Sequence, residues 1–483
     1  MKTKAAKDRT VTLIPESPVM RSKSFYATLI LAVLLLSRSA FAQAAEGNPA
    51  PKVPAQTITS ELEMEVYVGN SRIILHQGKV FIGEGDGVLK VKKTPGEIKI
   101  PQDTHKIFSL TGLNERNAEA YTKEINRLQI PHVLLIGVTN AQLRTYADAG
   151  IFTNLFSLEL HYCDNLTDIT PLAALQDLDA IYLNDCEKLK DITPLAKLPN
   201  LNSLELIKCD KLTDIVPLAK LQKVIAISLS DCNNLTDITP LGKLQNLISL
   251  HLDGCDNLVD IKPVAKLPNL TYLSLAGSNL TDITPVTKLQ KLITLHLSYC
   301  DDLKNITPLM GLQNLTKLWI YSCENLVDIA PLAKLQNLTT LSLCYCIKLK
   351  DLTPLAALHN LTGLELEGCE ELRDIQPLAW LPNLVTLNLS GCKKFASFYP
   401  ISGHKKLERL QLTIPNNDLS FIRNLKQLKQ LRLSFCSKLS NLSPVAKLRK
   451  LEVLIFEECE LITDAMVDDL KKKLPKNCTV VPQ

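Results

Sequence analysis

The chain has 483 residues, a formal net charge of +4, 22% charged residues and 5% aromatics. So even a balance gives no support to a dedicated polyanion binder, and with so few aromatics their placement carries the information. All 14 cysteines lie at or after Cys163 and recur periodically, which points to a structural element rather than a disulfide framework.

Residues 1–19 are polar and basic with no hydrophobic period, an extension or the result of a start assigned upstream of Met20. Residues 20–44 read as a secretory signal. Arg21 and Lys23 give the positive start, Phe25 to Leu36 the apolar core, and Ala40-Phe41-Ala42 or Ala42-Gln43-Ala44 the cleavage site. An apolar run of about a dozen residues is short for a bilayer, so export with cleavage is expected, and an uncleaved anchor is the competing reading. Residues 45–56, rich in Pro, Ala and Gly, read as a linker.

Between 57 and 112, ITSELEMEVYV, SRIILH, KVFIG and VLKVKK alternate apolar and polar residues between Gly-rich turns, the pattern of a small antiparallel β unit. Residues 113–153 predict an N-terminal cap. Asn114 caps a helix with Ala118, Tyr121, Ile125 and Leu128 on one face, and Pro131 ends it. His132 to Ile136 then form a strand, and Asn140 caps a second helix that stops at Gly150 with Leu143 and Tyr146 buried.

From 154 to 462 one unit repeats. Cys232 to Cys255 reads CNNLTDITPLGKLQNLISLHLDGC. Leu250 and Leu252, two apart, share a face of an extended segment. The remaining apolar residues come at every third position, which suits a 3₁₀-like path. The frame recurs at Cys163, Cys186, Cys209, Cys232, Cys255, Cys300, Cys323, Cys346, Cys369, Cys392, Cys436 and Cys459, with Ser278 and Pro415 in its place in two of 14 units. A period in the twenties with LxxLxLxxC is the signature of a leucine-rich repeat solenoid of α/β type. One coil cannot bury its own leucines, whereas a stack can. Residues 463–483 form a helical C-terminal cap, begun by Thr463 and Asp464 and closed by Lys471, Lys472 and Lys473.

Each repeated column has a reading. A thiol is small, largely apolar and a weak donor, so it stacks at low desolvation cost. Rungs about 4.8 Å apart would admit disulfides, but parallel side chains would have to distort, so free buried thiols are expected. No CxxC pair supports a metal, and no cofactor is implied. Cys344, beside Cys346, falls on an outward position and is the expected reactive thiol. The Asp column (Asp168, Asp191, Asp214, Asp237, Asp260, Asp282, Asp328, Asp351 and Asp374) caps the turn that Pro initiates, with a calcium ladder as the alternative. The Lys column (Lys197, Lys220, Lys243, Lys266, Lys288 and Lys334) reads as a solvated face, with phosphates or a membrane surface as the alternative.

The unit consensus NLTDITPLAKLQNL resembles the repeats of internalin-like bacterial surface and secreted proteins, and ITDAMVDDLKKKLPKNC resembles the end of Cys-containing bacterial leucine-rich repeat proteins. The family's units usually carry Asn where this chain carries Cys and are one residue shorter. The resemblance implies a horseshoe with a parallel β-sheet on its concave side, and it implies that this side binds a protein.

In the middle units the outward positions carry large amphipathic side chains: His251, Asp253, Tyr272, His296, Tyr299, Trp319, Tyr321 and Tyr345, followed by Glu365 and Glu367. Packing does not demand them there, so they form the candidate contact patch. The competing reading is that Tyr and Trp merely tile a strand surface. The two histidines lie about 10 Å apart, too far to share a metal, though their titration would make binding pH-dependent. The expected function is that of an exported, non-catalytic recognition protein with a protein or glycan partner, from a host or from the envelope. No nucleic acid is implied, nor any membrane span after signal cleavage. The alternatives are an effector or enzyme active in the N-terminal unit, and a structural spacer in the envelope. Against catalysis, residues 57–130 hold no Cys, no GxSxG, no HExxH and no phosphate loop.

Overall fold

The computed structural model describes residue 110 and residues 113–481 in full, and the backbone of seven strands between residues 56 and 109. The signal and linker readings lie outside the described residues.

Those seven strands are β1 (Gln56–Ser60), β2 (Glu65–Gly69), β3 (Ile73–His76), β4 (Lys79–Ile82), β5 (Lys90–Lys93), β6 (Gly96–Ile100) and β7 (His105–Ser109). They pair antiparallel, β1 with β6, β3 with β4, and β2 with both β5 and β7. β7 also pairs in parallel with β8 (His132–Ile136), so it begins the sheet of the solenoid. From β8 the parallel ladder runs through β9 (Ser157–His161), strand by strand, to β22 (Val453–Glu457) and β23 (Thr479–Val481). Among the described residues the sheet is open, with β5 and β23 at its edges.

The cap contains α1 (Ala118–Leu128) and α2 (Asn140–Asp148). Ala118, Tyr121, Ile125, Leu143 and Tyr146 are buried, in line with the helical period. Both expected N-caps shift. Asn114 lies ahead of α1, where its side chain accepts from Arg116 N at 3.0 Å, and the helix begins after Asn117. Thr139, not Asn140, caps α2, in a reciprocal pair with Gln142. Asn140 instead docks on the first repeat: its Oδ1 accepts from Thr167 N and Asp168 N at 2.9 and 3.1 Å. At the far end Thr463 caps α3 (Asp464–Lys471), and the chain then returns to lay β23 on the last repeat strand. Sequence reading stopped at the helix and missed this closing strand.

The 14 repeats stack in register, and we number the rungs 1 to 14 from Cys163 to Cys459. In rung 5, Leu235, Ile238, Leu241, Leu244, Leu247, Leu250, Leu252 and Cys255 are all at most 1% exposed. Burial of one such leucine contributes about 1.5–3 kcal/mol relative to leaving it in water. The TPL segments form short 3₁₀ helices, for example Thr239–Lys243, each started by the fixed φ of Pro. They occupy the side opposite the strands. They need more room per rung than strands spaced about 4.8 Å apart, so the sheet lies on the concave side.

Three ladders fasten the turns. From Cys186 onward each ladder thiol donates to a carbonyl of the preceding rung, as Cys232 does to Leu206 O, Cys323 to Leu297 O and Cys369 to Leu343 O, each at 3.0 Å. All ladder cysteines are free and buried. The Asp column forms Asx turns: Asp191 Oδ1 accepts from Thr193 N, and Asp237 Oδ1 from Thr239 N, each at 2.8 Å. Asparagines on the next turn reach the preceding rung, as Asn246 does to Gln222 O and Asn337 to Gln313 O at 2.9 and 2.8 Å. The Lys column is exposed throughout.

Candidate functional site

Strand register decides which outward side chains meet. His251 and His296 both sit opposite Ser274, and His296 sits opposite Trp319. Tyr272 lies one outward position earlier, opposite Ser249 and Thr294. Ser274 is small, so the Tyr272 ring can lean diagonally into the space above it. The result is a continuous stack over rungs 5 to 8. His251 to Tyr272 is 4.5 Å between centroids, Tyr272 to His296 5.4 Å, and His296 to Trp319 4.2 Å at an interplanar angle of 17°.

A second column runs beside it. Tyr299, Tyr321 and Tyr345 follow one another at 5.0 and 5.1 Å between centroids. Tyr299 and Tyr345 do not stand on the strands. They occupy the turn residue just before the ladder cysteine, where φ is +57° and +56°. Asp185, Asp231 and Gly254 hold the same left-handed position in other rungs. A non-glycine residue costs about 1 kcal/mol there, and the ring orientation gained is the visible return. Gly368 takes that position in rung 10, where an added Cβ would fall 2.5 Å from the Tyr345 ring. A side chain at that point would displace the last ring of the column.

Both columns end on polar partners. Tyr345 Oη donates to Glu367 Oε1 at 2.6 Å, and Asn388 Nδ2 donates to Glu367 Oε2 at 2.9 Å. At the other end Asp253 accepts from Ser274 Oγ and, at 3.1 Å, from Ala276 N, with His251 Nδ1 3.7 Å away. Burial opposes the Asp253 charge, but His251 and Ser274 hold its carboxyl below the usual range. Burial pushes His296 down to about 3. The Glu365 carboxyl is raised because neighbouring side chains partly strip its charged end of water and because Glu367 lies close, although a hydrogen bond from Ser342 pulls the other way.

The expected patch is therefore brought together, with differences. His251, Asp253, Tyr272 and His296 were expected to face solvent and are 1–4% exposed, whereas Trp319, Tyr299, Tyr321 and Glu367 are half-buried and Tyr345 and Glu365 exposed. The lateral stack hides the ring faces that single strands would show. The expected pH response through His296 is also corrected, because a group held near 3 carries no charge change between pH 5 and 8. Cys344 is corrected too. It is on the concave face as expected, but 4% exposed, with Ser342 Oγ at 3.4 Å, and burial raises its thiol well above the ordinary value. Only Cys478, half-buried near the end of the described chain, is a more open thiol.

Sequence reasoning missed Ser274, Gly368 and Asn388, which shape the patch. Small residues beside large ones on facing positions were the available signal. It also missed Trp380 and Tyr399, which are 65% and 73% exposed on the 3₁₀ side and belong to neither column. Among the described residues no group of His, Cys, Asp and Glu could hold a metal, and no helix is long and apolar enough to cross a membrane.

Comparison with known proteins places this geometry. Six copies of the pattern described as a BspA type leucine rich repeat region match residues 153–281, 248–350 and 272–379. A search of curated proteins gave no match. The crystal structure of an internalin (InlF) from Listeria monocytogenes is 28% identical, with a TM-score of 0.54 over 64% of this chain and 88% of that one. A functional domain of InlJ from Listeria monocytogenes, described as including a cysteine ladder, is 20% identical with a TM-score of 0.37 over 63% of this chain and 74% of that one. A TLR13–ssRNA13 complex shares the fold alone, at 20% identity and a TM-score of 0.54 over 77% of this chain and 59% of that one. The chain is a leucine-rich repeat solenoid whose fold is similar to that of the internalin InlF.

Proposed function

We propose that this chain is an exported, non-catalytic recognition protein that binds a protein partner on its concave sheet. The observation that carries the reading is the pair of aromatic columns on neighbouring rungs. The core does not need them, and the Tyr299 and Tyr345 backbones are strained to present them. Trp319, Tyr299, Tyr321 and Tyr345, the half-buried and exposed members of the two columns, offer aromatic contact area with little rotamer entropy left to lose on binding, because the rings stacked beside them hold them in place. Export rests on the signal pattern of residues 20–44, and cleavage after Ala42 or Ala44 is the expected mature start.

The test is site-specific photo-crosslinking in the producing cells and in host-cell lysate. p-Benzoylphenylalanine replaces Tyr321 in one form and Lys288, on the 3₁₀ side, in another. Adducts from position 321 and none from position 288 are expected. Equal labelling at both positions, or none at 321, would overturn the concave reading. Mass spectrometry of the mature chain checks the cleavage site.

A further inference from the structure

Charge is not spread evenly along the solenoid. Rungs 12 to 14, residues 393–459, hold 13 Lys and Arg against 5 Asp and Glu, a net +8 in a chain whose total is +4. Six of these cations, Lys405, Lys406, Lys426, Lys447, Arg449 and Lys450, stand exposed at or just after the ends of the 3₁₀ segments. Among the described residues none of the six forms a salt bridge. Lys406 and Lys450 donate instead to the neutral Asn383 Oδ1 and Gln427 Oε1, each at 2.6 Å. Three acids of these rungs are engaged: Glu408 pairs with Lys429 at 2.9 Å, Glu457 with Arg432 at 3.4 Å on the sheet, and Asp418 accepts from Ser420 N at 2.7 Å in its turn. Glu452 and Glu458 are left exposed against the six cations. Next to the cations stand Trp380 and Tyr399, at 65% and 73% the most exposed large apolar side chains among the described residues. Lys406, by reaching Asn383, lies close in the chain to Trp380. The 3₁₀ segments of rungs 10 to 12 read TPLAA, QPLAW and YPISG and carry no charge. The Asp column also breaks here: between Asp374 and Asp418, Ser397 Oγ accepts from Tyr399 N at 3.1 Å.

We infer that the 3₁₀ side of rungs 11 to 14 docks on an anionic lipid bilayer, with Trp380 and Tyr399 entering the headgroup layer and the six cations lying over lipid phosphates. This surface is separate from the concave sheet, and the inference does not depend on the concave reading. Trp and Tyr, apolar rings with a polar tip, are favoured at headgroup depth. An anionic leaflet attracts Lys and Arg near its surface, and the attraction adds over neighbouring cations. Gly403 follows Trp380 in its column, with nothing within 4 Å of where a Cβ would stand, so no side chain of the next rung covers the ring on that side. No helix of the described residues is long and apolar enough to cross a membrane, so the attachment this surface offers is peripheral. An acidic protein segment would satisfy the cations but leave the two rings without an apolar layer to enter.

The test is co-sedimentation of the mature chain with vesicles of phosphatidylcholine containing about a third phosphatidylglycerol, and with vesicles of phosphatidylcholine alone. Binding to the first, weaker as salt rises, is expected, with little binding to the second. The chain's two tryptophans are Trp319 and Trp380, so a Trp319→Phe form reports on Trp380 alone. Its emission is expected to shift to the blue on the anionic vesicles and to be quenched by brominated acyl chains. In the variant Lys405→Gln/Lys406→Gln/Arg449→Gln/Lys450→Gln, vesicle affinity is expected to fall at least about a hundredfold. The same loss of charge in the Lys column, Lys220→Gln/Lys243→Gln/Lys266→Gln/Lys288→Gln, is expected to cost less than about threefold. Thermal melts check that both variants fold, and the Trp380 spectrum needs neither of them. Equal losses in the two variants, equal binding to the two kinds of vesicle, or binding with an unchanged Trp380 spectrum overturns the inference. So does absence of vesicle binding, and if polyglutamate then binds, the cations serve an acidic protein segment instead. The position-321 crosslink reads the other face and stands or falls apart from these outcomes.

Discussion

Each repeat strand has two faces made by the same few residues, and they follow different rules. Toward the core, Leu250, Leu273, Leu295, Leu318, Leu341 and Leu364 repeat with no exposure and almost no variation in size. Toward the concavity, one position in the same rungs reads His251, Ser274, His296, Trp319, Ser342 and Glu365. The period of two puts adjacent residues on opposite faces, so neighbours in the chain meet unrelated surroundings. The inner face is fixed by its neighbours above and below, while the outer face has only to keep the strand extended. Variation on the outer face therefore carries information about binding, and the absence of variation on the inner face carries information about stacking.

The sharpest way to break this contrast is to truncate both faces of adjacent rungs. Leu341→Ala opens a cavity in a close-packed stack and is expected to cost about 2–5 kcal/mol of stability. Trp319→Ala, on the other face one rung away, is expected to cost about 1 kcal/mol or less in a urea melt while removing crosslinking at position 321. A Trp319 variant as destabilised as the Leu341 variant would show that the aromatic column belongs to the core.

Thiol chemistry separates the turn from both faces. The ladder cysteines and Cys344 are buried, and burial raises the thiols of Cys232, Cys346 and Cys392 to about 12. Iodoacetamide on the native chain is expected to modify Cys478 at least about tenfold faster than any of these, with all 14 cysteines modified after denaturation. Rapid native labelling of Cys344 would restore it as an outward reactive thiol.

The fold was largely legible because it is written many times over. The spacing of Leu, Pro and Cys needs only local geometry to be read, and the Asp column announced its Asx turn through the Pro that follows. Cap details were less legible. Thr139 and Asn140 are both good capping residues, and only the docking of Asn140 on Thr167 and Asp168 decides between them. β23 was missed because three residues of TVV carry no period by themselves. At the site, the residue list was legible but the stack was not. Tyr272 meets His251 diagonally, through a register that a linear reading does not give. The left-handed turn that aims Tyr299 and Tyr345 is equally silent, since Asp, Lys, Ser and Gly fill the same position elsewhere.

The smallest expected effect tests whether the convex turns are as replaceable as the outer strand face. Asp351 Oδ1 accepts from Thr353 N at 2.8 Å, and that amide together with the Thr353 hydroxyl holds its carboxyl below the ordinary 3.8. Asp351→Ala removes the acceptor and is expected to cost about 1 kcal/mol. The chain already contains a milder substitution, since in rung 8 Asn305 Oδ1 accepts from Thr307 N at 2.9 Å in the same turn. Asp351→Asn should therefore keep the turn and lose only the charge, at about 0.5 kcal/mol or less at neutral pH. The sign of its pH dependence follows from the lowered carboxyl. The charged form stabilises the fold at pH values above the unfolded value near 3.8, and that contribution fades as pH falls through the lower folded value. The parent's advantage over the Asn variant should then shrink progressively as melts are taken further below pH 3.8, while the Ala variant stays behind both. An Asn variant as unstable as the Ala variant at neutral pH would mean that the column works through its charge, and that Asn305 marks a weak rung.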